Sequence, residues 1–185
     1  MLAAIFEENE TEVIERAKTG DSAAFEDIID EYRSRVTDLI FHLYGDENLA
    51  EDAAQTAFIN AWRHLPEFQS GRSFRSWLLK IAVNAAIDHL RREKPCVEID
   101  SILDLSKNEC IEDWVEDRER RMIIRQAVAE LPDSSRSVLI LKEYQGLRYQ
   151  EIADVLDIPL GTVMSRLNYA RKVLAGKLAI YLEDV

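Results

Sequence analysis

The chain has 185 residues, 47% of them hydrophobic, and carries 35 acidic against 23 basic side chains for a net charge of −12. No apolar run approaches the ~20 residues of a membrane span. The acidic start MLAAIFEENETEVIE lacks the basic flank of a signal peptide, so a cytoplasmic location without membrane insertion is expected. Cys96 and Cys110 form no CxxC pair, and His42, His64 and His89 are scattered. No metal site, cofactor, disulfide framework or catalytic constellation is therefore expected.

Six glycines and four prolines leave few breaks in the chain, and 31% charged residues suit amphipathic helices with wet outer faces. The expected fold class is all-α: two small helical domains joined by a linker, the second ending in a helix-turn-helix. The first helix is expected around Glu10 to Lys18, with a stop at Gly20. Asp21 then caps a second helix that runs through Phe25, Ile28, Tyr32, Val36 and Leu39 to a stop at Gly45. Asn48 with Glu51 three residues on reads as a capping pair that opens a third helix through Trp62. Pro66 falls in a loop, LPEFQSGRS, after which Ser73 caps a fourth helix to about Arg92.

Pro95 closes the first half, and residues 95–113 form an acidic connection whose Ile99, Ile102, Leu103 and Leu105 can rest on a neighbouring surface. The second half restarts with a helix over 114–130, breaks at Leu131-Pro132 and continues from about Ser134 to Tyr144. Gly146 then introduces LRYQEIADVLDIPLGTVMSRLNYARKVL. This stretch reads as a short amphipathic helix, a tight break at Asp157-Ile158-Pro159, and a longer helix opening near Gly161 and Thr162. At 100° per residue, Val163, Leu167, Ala170 and Leu174 share one side of the longer helix, and Thr162, Ser165, Asn168, Tyr169 and Lys172 face away. An apolar seam opposite hydrogen-bonding side chains is what an element that reads the major groove needs. The small Ala153 beside Ile152 lets the two helices cross closely.

Two further faces stand out. In the third helix Ala50, Ala53, Ala54, Ala57, Ala61 and Trp62 make a tight packing side and leave Glu51, Asp52 and Gln55 on an outward patch, acceptors for Arg or Lys of a partner helix. The fourth helix packs by Phe74, Leu78, Ile81 and Ala85. Lys80, Asn84 and Arg91 project within about 40° of one another on another face, with Trp77 close by, which suits a phosphate backbone and partly exposed bases. Charge follows the same division: residues 1–70 hold 5 basic and 16 acidic side chains, whereas residues 71–94 hold 6 and 2. An acidic chain with locally basic segments is expected to touch DNA when a large partner supplies the affinity.

The order GDSAAF, AEDAAQTAFINAW, SFRSWLLKIAVNAAIDHLRR and LPDSSRSVLILKEYQGLRYQEIADVLDIPLGTVMSRLNYARK resembles the extracytoplasmic-function (ECF) sigma factors of the sigma-70 family. The resemblance implies a non-enzymatic transcription initiation factor: residues 1–94 as region 2, 95–113 as linker and 114–185 as region 4. It implies that Glu51, Asp52, Gln55 and Phe58 dock on the coiled coil of the polymerase β′ subunit. Arg72, Ser73, Arg75, Trp77, Lys80, Asn84 and Arg91 would take the minus-10 element, the loop before the fourth helix holding an unstacked base. Region 4 would bind the β flap and read the minus-35 element through Thr162, Ser165, Arg166, Asn168, Tyr169, Arg171 and Lys172. Promoter DNA, core RNA polymerase and an anti-sigma factor are the implied partners. Met164 and Tyr169 stand where the family usually carries basic residues, which lowers the capacity for phosphate and guanine contacts. Arg166 and Arg171 flank the reading face, where they could reach phosphates or pair with acidic neighbours. Alternative readings are a dimeric helix-turn-helix regulator, which would need a self-complementary apolar surface, and a helical adaptor that binds protein only.

Overall fold

A computed structural model describes the backbone of residues 2–69, 71–93 and 115–182, and the side chains of 10–69, 71–89 and 122–179. Among the described residues the chain is built from α-helices and one 3-10 turn, in the order α1 (Leu2–Lys18), α2 (Ser22–Tyr44), α3 (Glu47–His64), the turn Leu65–Glu67, α4 (Phe74–Glu93), α5 (Val115–Ala129), α6 (Asp133–Glu143), α7 (Tyr149–Leu156) and α8 (Leu160–Leu182). The connection expected over 95–113, with its four apolar residues, lies outside the described residues.

Local chemistry sets the helix ends. The Asp21 carboxylate accepts from the Ala24 amide at 3.2 Å and starts α2. Gly45, at φ 74°, ends it in the left-handed region that glycine enters at little cost, and its amide donates to the Phe41 carbonyl at 2.7 Å. Asp46, not Asn48, is the cap of α3: its carboxylate accepts from the Leu49 amide at 3.0 Å. The aspartate follows the Gly45 turn directly, so it meets the free amides of the first turn before Asn48 can. Ser73 caps α4 as expected, its Oγ accepting from the Ser76 amide at 3.2 Å. Helix α1 begins well ahead of the expected Glu10.

In the first half, Ala50, Ala53, Ala57 and Ala61 of α3 are fully buried and let it lie close against α4, which answers with Ala82, Ala85 and Ala86. Enlarging any of these would overpack the contact at a cost of about 1–3 kcal/mol. Trp62 departs from its expected place on that side: it is 37% exposed, with its ring 4.8 Å from that of Phe25. In the second half, Val138, Ile152, Val155, Val163, Leu167 and Ala170 close a core among α6, α7 and α8. Asp157 ends α7 at φ 54°, and the Pro159 carbonyl accepts from the Thr162 amide at 2.9 Å to open α8 one residue before the expected Gly161.

The halves do not stand apart. Helix α4 lies against α7 and α2 against α6, and one continuous buried cluster runs through both.

Candidate polymerase and promoter interfaces

On α3 the buried alanines turn Glu51, Asp52 and Gln55 outward, and all three are exposed. At helical spacing Ile59 falls among them, between Gln55 and Asp52, and it is 46% exposed. The surface is thus a stripe of carboxylate and amide acceptors around an aliphatic side chain, flanked by Trp62. Ile59 was missed by the sequence reading. Its signal was available, because an isoleucine at the polar phase of a helix breaks the amphipathic pattern. Phe58 is only 7% exposed, so it braces the patch from within instead of lining it.

The loop before α4 presents Arg72 and Ser73 to solvent. It borders a cleft of about 280 Å³ whose walls include Tyr32, Phe68 and Phe74 together with Arg72, Ser73 and Arg75. The rings of Phe68, Phe74 and Trp77 pack on one another at 5.2 to 5.4 Å. Glu10, Glu15 and Glu31 also line the cleft and the rings of Tyr32, Phe68 and Phe74 are buried, so the donors at its rim, Arg72 and Ser73, are what it offers an unstacked base. Farther along α4, Trp77 and Lys80 are half-buried and Asn84 is exposed. Arg91 lies on α4, but its side chain is outside the described set.

Two cations of α4 are engaged by the other half, whereas Arg72 in the loop before it is exposed. Arg75 Nη2 donates to the Gln145 carbonyl and, at 3.3 Å, to Gln145 Oε1. Lys80 Nζ donates to the Asp154 carbonyl at 3.0 Å. Burial, followed by the nearby Arg35 charge, holds the Arg75 pKa below the usual arginine value.

On α8 the expected division holds. Val163, Leu167 and Ala170 are buried, while Ser165, Asn168, Tyr169 and Lys172 are exposed and Thr162 is half-buried. Ser165 Oγ donates back to the Thr162 carbonyl at 3.0 Å. Met164 and Tyr169 are 53% and 50% exposed. Arg166 is half-buried, and Arg171 is paired with Glu143 of α6 at 2.8 Å. Of the two uses open to Arg171, the fold has taken the acidic neighbour. The resulting reading face is neutral and partly apolar at its centre, with Lys172 as a cation at its edge.

Two family models match the chain: Sigma-70 region 2 over residues 28–95 and Sigma-70, region 4 over residues 121–174. The chain is 35% identical to the ECF RNA polymerase sigma factor SigW of Bacillus subtilis, covering 89% of this chain and 94% of that protein. It is 33% identical to the RNA polymerase sigma-H factor of Pseudomonas aeruginosa, covering 96% and 98%. Two solved structures share the fold at 22% identity. CnrH in complex with the cytosolic domain of CnrY superposes with a TM-score of 0.69, covering 91% of this chain and 96% of that one. The sigma factor RpoE of Bartonella quintana, solved with the anti-sigma factor NepR, superposes at 0.67, covering 84% and 97%. With both sigma regions matched in order and relatives aligned over almost their whole length, the chain belongs to the ECF sigma factors of the sigma-70 family, the subunits that direct RNA polymerase to promoters.

Proposed function

We propose that the two halves divide the work of initiation, the α3 stripe docking on core polymerase and the α4 and α8 faces reading the two promoter elements. The observation that carries this reading is the exposed Glu51, Asp52, Gln55 and Ile59 stripe, on the helix that buries its alanines against α4. Carboxylate and amide acceptors ringing an aliphatic anchor suit a basic partner helix. A base extruded from the non-template strand enters the cleft beside Phe68, Phe74 and Ser73, and Lys80 and Asn84 follow the adjoining backbone. Thr162, Ser165, Asn168 and Lys172 work in the major groove of the upstream element, with Tyr169 beside them, while other surfaces of residues 114–185 meet the β flap. The factor acts by binding, without a catalytic step of its own, and works in the cytoplasm. An anti-sigma factor is proposed as a further partner, a reading supported by the complex in which the Bartonella relative was solved.

Reconstitution with core polymerase on a promoter library, scored for strand opening, tests the whole assignment. Sequence-selective opening by the complex, with weak duplex binding by the free chain, is the expected result. Tight sequence-specific binding by an isolated dimer would replace it with the regulator reading.

A further inference from the structure

The exposed side of α8 carries apolar side chains that the chain's own core does not take up. Leu160 opens the helix at 41% exposure, and Met164, one turn on, is 53% exposed. The two lie within about 40° of each other round the helix, and the exposed Asn168 continues the row at the same step. Single exposed apolar residues are ordinary. This pair is set apart by its place, the first turns of the helix assigned above to the upstream element, because in a helix-turn-helix those turns meet the base edges. The inference rests on that assignment.

The neighbours of the pair decide what it can read. Arg171 falls in the same row, within about 20° of Met164, but its guanidinium is held by Glu143 of α6 at 2.8 Å. Arg166 is half-buried and lies about 160° away round the helix. Ser165 donates its hydroxyl proton to the Thr162 carbonyl at 3.0 Å, and Lys172 is exposed about 80° from Met164. Guanine is read by donors at its O6 and N7, and the amino groups of cytosine and adenine need an acceptor. A thioether and an isobutyl group supply neither. The base-edge feature they fit is the C5 methyl of thymine, the apolar group that the major groove displays.

We infer that Met164, with Leu160 beside it, reads a thymine methyl in the upstream element, so that an A·T pair is selected there by apolar contact instead of a guanine by a cation. The unbranched side chain suits the task, since its rotatable bonds let the polarizable sulfur and terminal methyl follow the groove. Removing the thymine methyl forfeits the burial of about one methylene, roughly fourfold in affinity.

The test uses holoenzyme reconstituted from the full chain and core polymerase. Preferred upstream elements are selected from a library randomised over that segment, with the minus-10 segment fixed. Each thymidine of a selected element is then replaced singly by deoxyuridine, which removes the methyl and leaves every hydrogen-bonding group of the base in place. Wild-type binding should weaken about fourfold at one or two positions. Met164→Ala should lose about as much on the unmodified element and become indifferent to deoxyuridine at one of those positions, the non-additivity of two groups in contact. Met164→Arg should move the selected pair at that position from A·T to G·C. Met164 is more than half exposed, so neither substitution disturbs the core, and circular dichroism checks helicity.

Deoxyuridine without effect at every position would overturn the inference. So would a loss of the same size in wild type and Met164→Ala, because the methyl would then touch another group. Weaker binding of Met164→Ala to core polymerase without DNA would also overturn it and give the pair to a protein partner. In these cases an upstream element that still matters leaves the reading role of α8 standing. If scrambling the upstream element leaves wild-type binding unchanged, that role fails and the inference falls with it.

Discussion

The α4 and α8 surfaces, the two proposed to meet promoter DNA, differ in how the fold leaves their side chains. On α4 the chemistry is cationic and tertiary structure has already engaged it, with Arg75 and Lys80 turned onto the other half. On α8 the side chains are exposed, yet the central positions hold Met164 and Tyr169, and Arg171 is tied to Glu143. Two cations of one surface are hydrogen-bonded within the chain; the polar side chains of the other are open to solvent. For a chain of net charge −12 the pairing has a physical logic. Net negative charge opposes non-specific attraction to a duplex, and on the proposed reading polymerase supplies that part of the affinity.

The largest effect should come from removing the platform on which both surfaces depend. Asp52→Arg with Gln55→Ala should cost core polymerase binding about 3 kcal/mol or more with unchanged helicity, and Ile59→Lys should weaken it further. An undiminished pull-down would move the docking surface elsewhere. Next, Asn168→Ala should cost about 1–3 kcal/mol on the upstream element alone. Equal losses on promoters with scrambled upstream sequence would dissolve the contrast between the faces.

Lys80→Ala should act on the other side of the comparison, lowering the salt dependence of minus-10 binding by about one unit of log–log slope across all sequences. A sequence-dependent loss would make Lys80 a base reader.

The smallest effect concerns the start of α7, which carries the carbonyl that meets Lys80. Glu151 Oε2 accepts from the Arg148 amide at 2.8 Å, and the hydrogen bond from the Arg148 side chain, ahead of other causes, holds its carboxyl below the usual glutamate range. Because the folded value is depressed, this contribution is complete at neutral pH and is lost as pH falls through that folded value. Glu151→Gln keeps the capping acceptor and loses only the exposed ion pair, so Tm should fall by no more than about 2 °C. The difference from wild type should vanish in acid, and calorimetry across pH would show it.

Much of the fold was legible because each helix announces its inner face through its own period. The seam of Val163, Leu167 and Ala170 and the alanine side of α3 both lie where spacing put them. The cap of α3 was misplaced because two capping residues compete within three positions, and the backbone turn at Gly45 decides for Asp46. Phe58 and Trp62 exchanged roles for a related reason: both sit at the margin of the buried face of α3, and the packing of α2 and α4 decides which margin is covered.

The sequence alone determined the helices, their order, the family and the outward faces, since these depend on neighbours three or four residues away. Tertiary structure alone decided that Arg75 and Lys80 are engaged by residues 70 and 74 positions distant, that Arg171 is paired across 28, and that Gln145 is buried between the halves. Periodicity tells a side chain whether it is to be covered, not by what. The partner is set by how two folded halves fit, a property of shape and charge that no local pattern encodes.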